Sequence, residues 1–303
     1  MKRVIVRRVV KSKFFHKKFD KILLQILRNR APHLIETRAA PIAVFGNDLI
    51  GSTVYVKGVY EKDHIEDFMS LLSALQLDTS NMTLADIGAN IGNHSIQFSK
   101  IFQKVLAFEP NPRTYEILDS NTKRLGNVEV FNIGLGREKS SLTLREVWQN
   151  IGSSSLVLDV VTDNVFDVSV IAFDDLSASV GNIDVMKIDV EGMELDVLIG
   201  AKNIIAKDHP IICLEQHKTE FSDRWNETQA LDWLRERGYR LFAGEKTKNS
   251  SGLFQRLRQI YLSFRGRKER EIFEYAKLPK AKYPMIYAIH ESRLSAWLTS
   301  SKL

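Results

Sequence analysis

Within LADIGANIGNHS, Asp86 closes an apolar run, and two glycines, Gly88 and Gly92, follow before a second apolar-periodic segment begins. A nucleotide-type ligand needs this order: a strand end, a turn where glycine lets the ligand approach the main chain, and a helix starting beside it. Gly92 is expected to let that helix pack closely on the strand. The next apolar run, KVLAFEP, ends at Glu109, whose two carboxylate oxygens are able to accept hydrogen bonds from both hydroxyls of a ribose. GANIGN lacks the third glycine of the spacing that brings a pyrophosphate onto a helix N-terminus, so a ribose-containing ligand other than a dinucleotide is expected. A tight strand-to-helix turn with no ligand has the same pattern; Glu109, at a second strand end 23 residues beyond Asp86, weighs against that reading.

Two later apolar runs also end in groups that move protons or carry charge: Asp189 and Glu191 in MKIDVEGMEL, Glu215 and His217 in IICLEQH. Ligands of open α/β sheets bind at the carboxyl ends of the strands, so these four residues should face the same crevice as Gly88 and Glu109. Each has a plainer role open to it. Glu191 is placed to favour a helix N-terminus electrostatically, and His217 is equally a strand-end surface histidine.

The elements that must position these groups alternate regularly. Strands are expected near 82–87, 104–109, 127–132, 183–188 and 210–215, with helices near 91–102, 112–124, 193–206 and 226–237. The fold class is α/β: a doubly wound, mostly parallel sheet with helices on both faces. SLTLREVW, SSSLVLDV and FDVSVIAF are expected as short extra strands beside the crevice, while GYRLFA and PMIYAIHE supply a sixth and a seventh main strand. Before Asp86, TVYVKGVYEKDHIEDF reads as a short strand, a turn at Gly58 and a helix from about Glu61.

The chain has 303 residues, 44% hydrophobic and 26% charged, enough for a sizeable core. One cysteine, Cys213, excludes an intramolecular disulfide and a cysteine-only metal site; its place in PIICLE makes it a buried small side chain. The formal charge of +6 hides an asymmetry: residues 1–30 carry +10 and residues 246–282 carry +8, which leaves −12 for the body. Such appendages suggest a polyanionic neighbour, whether lipid headgroups, a phosphorylated glycan or nucleic acid. The first thirty residues interleave Val, Ile, Phe and Leu with Lys and Arg, as in a basic amphipathic helix lying on an anionic surface; a helix docked on the body and an organellar presequence are the alternatives. No apolar stretch is long enough to span a bilayer and no secretory signal is evident, so a soluble or surface-attached protein is expected.

LADIGANIGNHS, AFEPNP, FNIGLG, the DD of IAFDDL, KIDVEGMELDVLIGA and PIICLEQH stand in the order and rough spacing of FkbM-type S-adenosylmethionine-dependent methyltransferases, which this chain resembles from about residue 53 to 243, resuming at MIYAIHE. The resemblance implies a class I methyltransferase fold of seven strands, the last antiparallel, and O-methylation of a hydroxyl on a sugar, glycan or polyketide-type acceptor. It also implies the cofactor S-adenosyl-L-methionine, lined at its methionine end by Asp86, Gly88, Ala89, Asn90 and Gly92, at its ribose by Glu109 and near its adenine by Asn132. Asp189 would sit near the transferred methyl, and Tyr60 with Glu61 would close over the cofactor. The implied organisation is a basic extension and linker (1–52), a methyltransferase core (53–244), a basic helical insertion (245–282), and a last strand with a tail (283–303).

A sugar hydroxyl is far less acidic than any side chain, so its proton must leave as attack proceeds, which requires a general base. His217 or Asp189 is the expected base, with Glu191 nearby and Glu215 orienting it; no metal is expected. A nucleic-acid methyltransferase is the nearest rival, motivated by Phe254, Tyr261 and Phe264 among arginines, but KIDVEGM lacks the N-P-P-Y or D-P-P-Y acceptor motif and the body is acidic. A non-catalytic cofactor-binding module is a rival of another class. A cytoplasmic location is expected, peripheral to the inner membrane face through the basic segments; the final SKL is a peroxisomal address only in a eukaryote.

Overall fold

The fold is that of a computed structural model, which describes residues 41–46, 48–145, 165–221, 227–246 and 270–294, with helical positions at 22, 25, 26, 28 and 29 ahead of them. SSSLVLDV, Phe254, Tyr261 and Phe264 of the basic insertion, most of residues 1–30 and the SKL end lie outside the described residues.

The chain enters through α1 (Leu49–Lys57) and α2 (Lys62–Ala74). The strand expected at TVYVK is a helix. Asp48 caps it by accepting from the Gly51 N–H at 2.9 Å, Gly58 ends it at φ 88°, and Val54 is fully buried, so caps and packing override the β preference of Thr53, Val54 and Val56.

There follow β1 (Thr83–Ile87), α3 (Asn93–Phe98), β2 (Lys104–Phe108), α4 (Pro112–Thr122), β3 (Val128–Phe131), β4 (Gly134–Leu135), β5 (Ser140–Arg145) and β6 (Val165–Ile171). The second half holds α5 (Ser177–Val180), β7 (Val185–Ile188), α6 (Glu194–Gly200), α7 (Lys202–Asp208), β8 (Ile211–Gln216), α8 (Gln229–Arg235), β9 (Tyr239–Lys246), β10 (Arg270–Tyr275) and β11 (Tyr283–His290).

The main sheet runs β10-β9-β11-β8-β7-β1-β2-β3; β3, β2, β1, β7 and β8 are parallel, and β11 lies antiparallel between β8 and β9. The order reverses between β1 and β7, the switch point at which an open α/β sheet makes its crevice. An eighth strand, β10, pairs antiparallel with β9 where a seven-strand sheet and a helical insertion are expected. REIFEY carries Ile272, Phe273 and Tyr275, residue types that favour strands. A second sheet, β4-β6-β5, stands over the crevice.

Alternation along the strands builds two apolar layers. Ala85, Ile87, Leu106, Phe108, Met186 and Ile188 share one, Leu84, Val105, Val185, Cys213 and Tyr287 the other. Cys213 is buried and its thiol is pushed up by that burial. Among the described residues no helix is long and apolar enough to cross a membrane.

Candidate functional site

Gly88 leaves β1 at φ 78°, and a Cβ there would stand 1.9 Å from the carbonyl oxygen of Asp189 on the neighbouring strand end. No side chain fits that approach, so glycine is what allows the β1 and β7 ends to close on each other. Gly92, at φ 88°, serves a different contact from the one expected: its missing side chain makes room for Leu118 and Thr122 of α4, so helix packs on helix rather than on the strand.

Between these glycines the main chain is held by the end of β2. Glu109 Oε2 accepts from the Asn90 N–H and Oε1 from the Asn111 N–H, both at 2.9 Å. Burial, outweighing these two donors, pushes the Glu109 carboxyl up to about 7. Each carboxylate oxygen keeps a lone pair free of those backbone bonds, a pattern suited to two hydroxyls. Asn90 takes φ 52° and its own side chain accepts from the Ile91 N–H at 2.7 Å, which steadies the strained residue.

Beneath the turn lies an ionic group that sequence reading does not reveal. Lys187 is 4% exposed, and its Nζ stands 3.2 Å from both Asp86 Oδ1 and Asp189 Oδ2, donating also to the Gly88 carbonyl at 3.3 Å. Asp86 and Lys187 are register partners on β1 and β7, so pleat and pairing bring them together. Asp86 is fully buried and also accepts from Ser95 Oγ at 2.6 Å. For Asp189, burial raises the carboxyl, but Lys187 and its other partners outweigh burial and hold it below its usual range.

The approach to α2 forms another wall. Asn93 accepts from the Tyr60 N–H at 2.9 Å and donates to the Tyr60 carbonyl at 3.0 Å, fixing that residue from both sides. Glu61 follows at φ 53°, with its carboxyl raised to about 7, first by burial and then by Asp189. His94 faces it, and burial, followed by Lys187, lowers its imidazole to about 4. The Tyr60 hydroxyl is pushed up to about 12, first by burial and then by Glu61.

At the far rim, His217 Nε2 lies 3.5 Å from Glu215 Oε1 and 3.8 Å from Glu191 Oε2. Lys282, just ahead of β11, stands 2.8 Å from the same Glu215 oxygen. Burial, then Asp189 and Glu215, raises the Glu191 carboxyl. Glu191 sits at φ 52°, so three of the five non-glycine residues with positive φ among those described, Glu61, Asn90 and Glu191, line one cavity.

That cavity measures about 320 Å³. It brings together Tyr60, Glu61, Gly88, Ala89, Asn90, Glu109, Asp189, Glu191, Glu215 and His217, all singled out by sequence. Asp86, Gly92 and Asn132 do not line it; Asn132 instead donates to the Glu109 and Pro110 carbonyls at 2.9 and 3.1 Å, bracing the Glu109 turn from behind. Lys187, Asn93, His94 and Lys282 line it without having been anticipated. A lysine inside the apolar strand VMKI is the one sequence signal that could have found Lys187, since a buried lysine demands an anionic partner. Leu144, Val168 and Val170 of the small sheet close the apolar side.

The donor set fits an adenosylmethionine-type ligand on these observations. A glycine turn that closes the β1 end on the β7 end, a buried carboxylate with free lone pairs, and an Asp189 carboxyl held below its usual range surround one space. Among the described residues no group of three or more His, Cys, Asp or Glu is arranged to hold a metal ion.

Residues 86–241, just over half of the chain, match the family described as the Methyltransferase FkbM domain. The chain is similar to Methyltransferase 1 of Beauveria bassiana (strain ARSEF 2860), 30% identical over 142 residues that cover 39% of this chain and 57% of that protein. It is also similar to Hexuronic acid methyltransferase AglP of Haloferax volcanii, 34% identical over 125 residues covering 40% of this chain and 51% of that protein. The chain therefore spans a little over half the length of these curated relatives. Among solved structures, Methyltransferase FkbM from Methylobacillus flagellatus KT aligns with a TM-score of 0.34 at 21% identity, over 45% of this chain and 33% of that one.

Proposed function

The chain belongs to the FkbM methyltransferase family, and from that premise we propose that it is an S-adenosylmethionine-dependent O-methyltransferase acting on a hydroxyl of a sugar, glycan or polyketide-type acceptor. The observation that carries this reading is the Glu109 carboxylate, held by one backbone N–H on each oxygen beside the Gly88 turn and facing the His217 cluster across one cavity. The similarity to a hexuronic acid methyltransferase favours a sugar among these acceptors.

When bound, adenosylmethionine supplies a methyl group already activated by its sulfonium charge. The protein's task is then to align and to deprotonate. Glu109 would accept hydrogen bonds from the ribose hydroxyls, Lys187 keeps Asp189 ionised, and the β4-β6-β5 sheet covers the apolar side of the cavity. His217 takes the acceptor's proton at Nε2, where Glu215 and Glu191 stabilise the imidazolium that forms. Asp189, with a depressed carboxyl, is the weaker base of the two expected. Lys282 offsets the charge of Glu215.

A polyanion approaching this rim would meet Glu61, Glu191 and Glu215, which disfavours the nucleic-acid reading. The basic segments 1–30 and 246–282 would hold the protein peripherally at an anionic membrane. Calorimetric titration with adenosylmethionine and its demethylated product tests the cofactor. Transfer of labelled methyl to neutral and uronic glycosides tests the acceptor. A folded protein that binds neither nucleoside would end the proposal.

A further inference from the structure

His94 Nε2 is buried, has no hydrogen-bond partner, and lies 3.7 Å from Glu61 Oε2 in the wall of the cavity. An imidazole nitrogen in that state is costly unless something else meets it. The ring cannot swing away: it stacks on Phe98 with centroids 5.9 Å apart and planes 18° apart, and Phe98 belongs to the core. Glu61 is equally committed, because Asn93 grips the backbone of Tyr60 from both sides and delivers Glu61 in a left-handed conformation. Two strained or unsatisfied groups thus point at one spot between α2 and α3.

The charges around that spot decide which partner it wants. Asp86, Asp189 and Glu215 are acidic and Lys187 and Lys282 basic, while His64 and Tyr60 also face the pair. With the histidines neutral, these surroundings sum to −1 before Glu61 ionises. The environment therefore attracts a cation. With the His94 ring neutral and its proton on Nδ1, Nε2 offers a lone pair and Glu61 offers carboxylate oxygens; an ammonium supplies three donors and the missing charge.

We infer that His94 and Glu61 form the subsite that receives the ammonium of the ligand's amino-acid tail. This assignment rests on the adenosylmethionine reading and gives His94 a role in it. Because the Glu61 carboxyl titrates at about 7, the grip on the ammonium strengthens as pH rises through neutrality.

Three probes in calorimetric titration test it: S-adenosylhomocysteine, its analogue lacking only the amino group, and methylthioadenosine, which lacks the whole tail. Glu109 also titrates at about 7 and acts on all three, so the readout is the ratio of their affinities rather than any one alone. Between about pH 6 and pH 8 the preference for S-adenosylhomocysteine over the deaminated analogue should rise about tenfold, following the ionised fraction of Glu61. Glu61→Gln should reduce that preference about 10- to 100-fold and remove its pH dependence, with methylthioadenosine affinity within about twofold of the parent. His94→Phe keeps the stack on Phe98 and should reduce the preference about tenfold; if it fails to fold, the Glu61→Gln series decides. A deaminated analogue that binds as tightly as S-adenosylhomocysteine overturns the inference, as does an equal loss for all three probes in Glu61→Gln. A parent protein that binds none of the probes overturns the adenosylmethionine reading, and this one with it.

Discussion

Lys187 and Asp189 stand two residues apart, so they project from one side of the β7 end, and their charged atoms meet at 3.2 Å. Register adds Asp86 from β1 to the same ammonium. Asp86 and Lys187 are buried while the Asp189 side chain is 32% exposed; the three charges sum to −1 under the Gly88 turn, and removing the cation would leave the buried Asp86 carboxylate without its counter-ion.

Lys187→Met should therefore destabilise the fold by about 3–5 kcal/mol, the usual consequence of stranding a buried charge. Denaturant unfolding measures this, and a loss under about 1 kcal/mol would show that the carboxylates find other partners. The Lys187 ammonium is raised above its ordinary range, so its stabilisation persists throughout neutral pH and fades only in strong base.

The ligand-free protein should be more stable in mild acid than at neutral pH. Glu61, Glu109 and Glu194 are raised by burial from 4.5 to about 7, so between those values the folded state binds more protons than the unfolded one. Stability is then fully present below the ordinary value and lost as pH rises through about 7, by on the order of 1–3 kcal/mol. Thermal melts at about pH 5 and pH 8 check the sign, and Glu109→Gln should flatten the difference.

Gly88→Ala asks a methyl group to stand where the Asp189 carbonyl oxygen is, at a φ that alanine rarely adopts. The expected cost is roughly 2–4 kcal/mol, with nucleoside binding lost in whatever fraction folds. A variant of unchanged stability would mean that the β1 and β7 ends separate freely.

His217→Asn should lower the rate of methyl transfer about 100- to 10,000-fold while nucleoside affinity stays within about twofold, since this residue is assigned to proton removal alone. Glu215→Gln should slow transfer by about tenfold, because its charge, 3.5 Å from His217 Nε2, stabilises the imidazolium that forms on proton transfer. Turnover unchanged in His217→Asn would remove this base from the reaction.

Much of the architecture was legible because apolar runs ending in Asp86, Glu109, Asp189 and Glu215 are strong signals for buried parallel strands, and strand ends converge at a switch point. What escaped has physical causes. TVYVK reads as a strand by residue type, but Asp48 and Gly58 cap it as a helix. REIFEY sits in a basic context that suggested a helix, and only its antiparallel pairing with β9 shows it to be a strand. Lys187 had one signal, a lysine inside the apolar run VMKI, but its partners follow only from register; His94 had none, because helix packing decides that it is buried. Asp86 was visible as a strand-end carboxylate, but its ion pair with Lys187 was not, since only the β1–β7 register brings the two together.

β11 threads between β8 and β9, and it comes from the far end of the sequence. A product trimmed to the family-matched stretch 86–241 would therefore lack β11, keep only the first three residues of β9 and the last two of β1, and also lose Tyr60, Glu61 and Lys282. The segment that carries the family signature is consequently not a portable module: grafting it elsewhere would require its outlying pieces to travel with it.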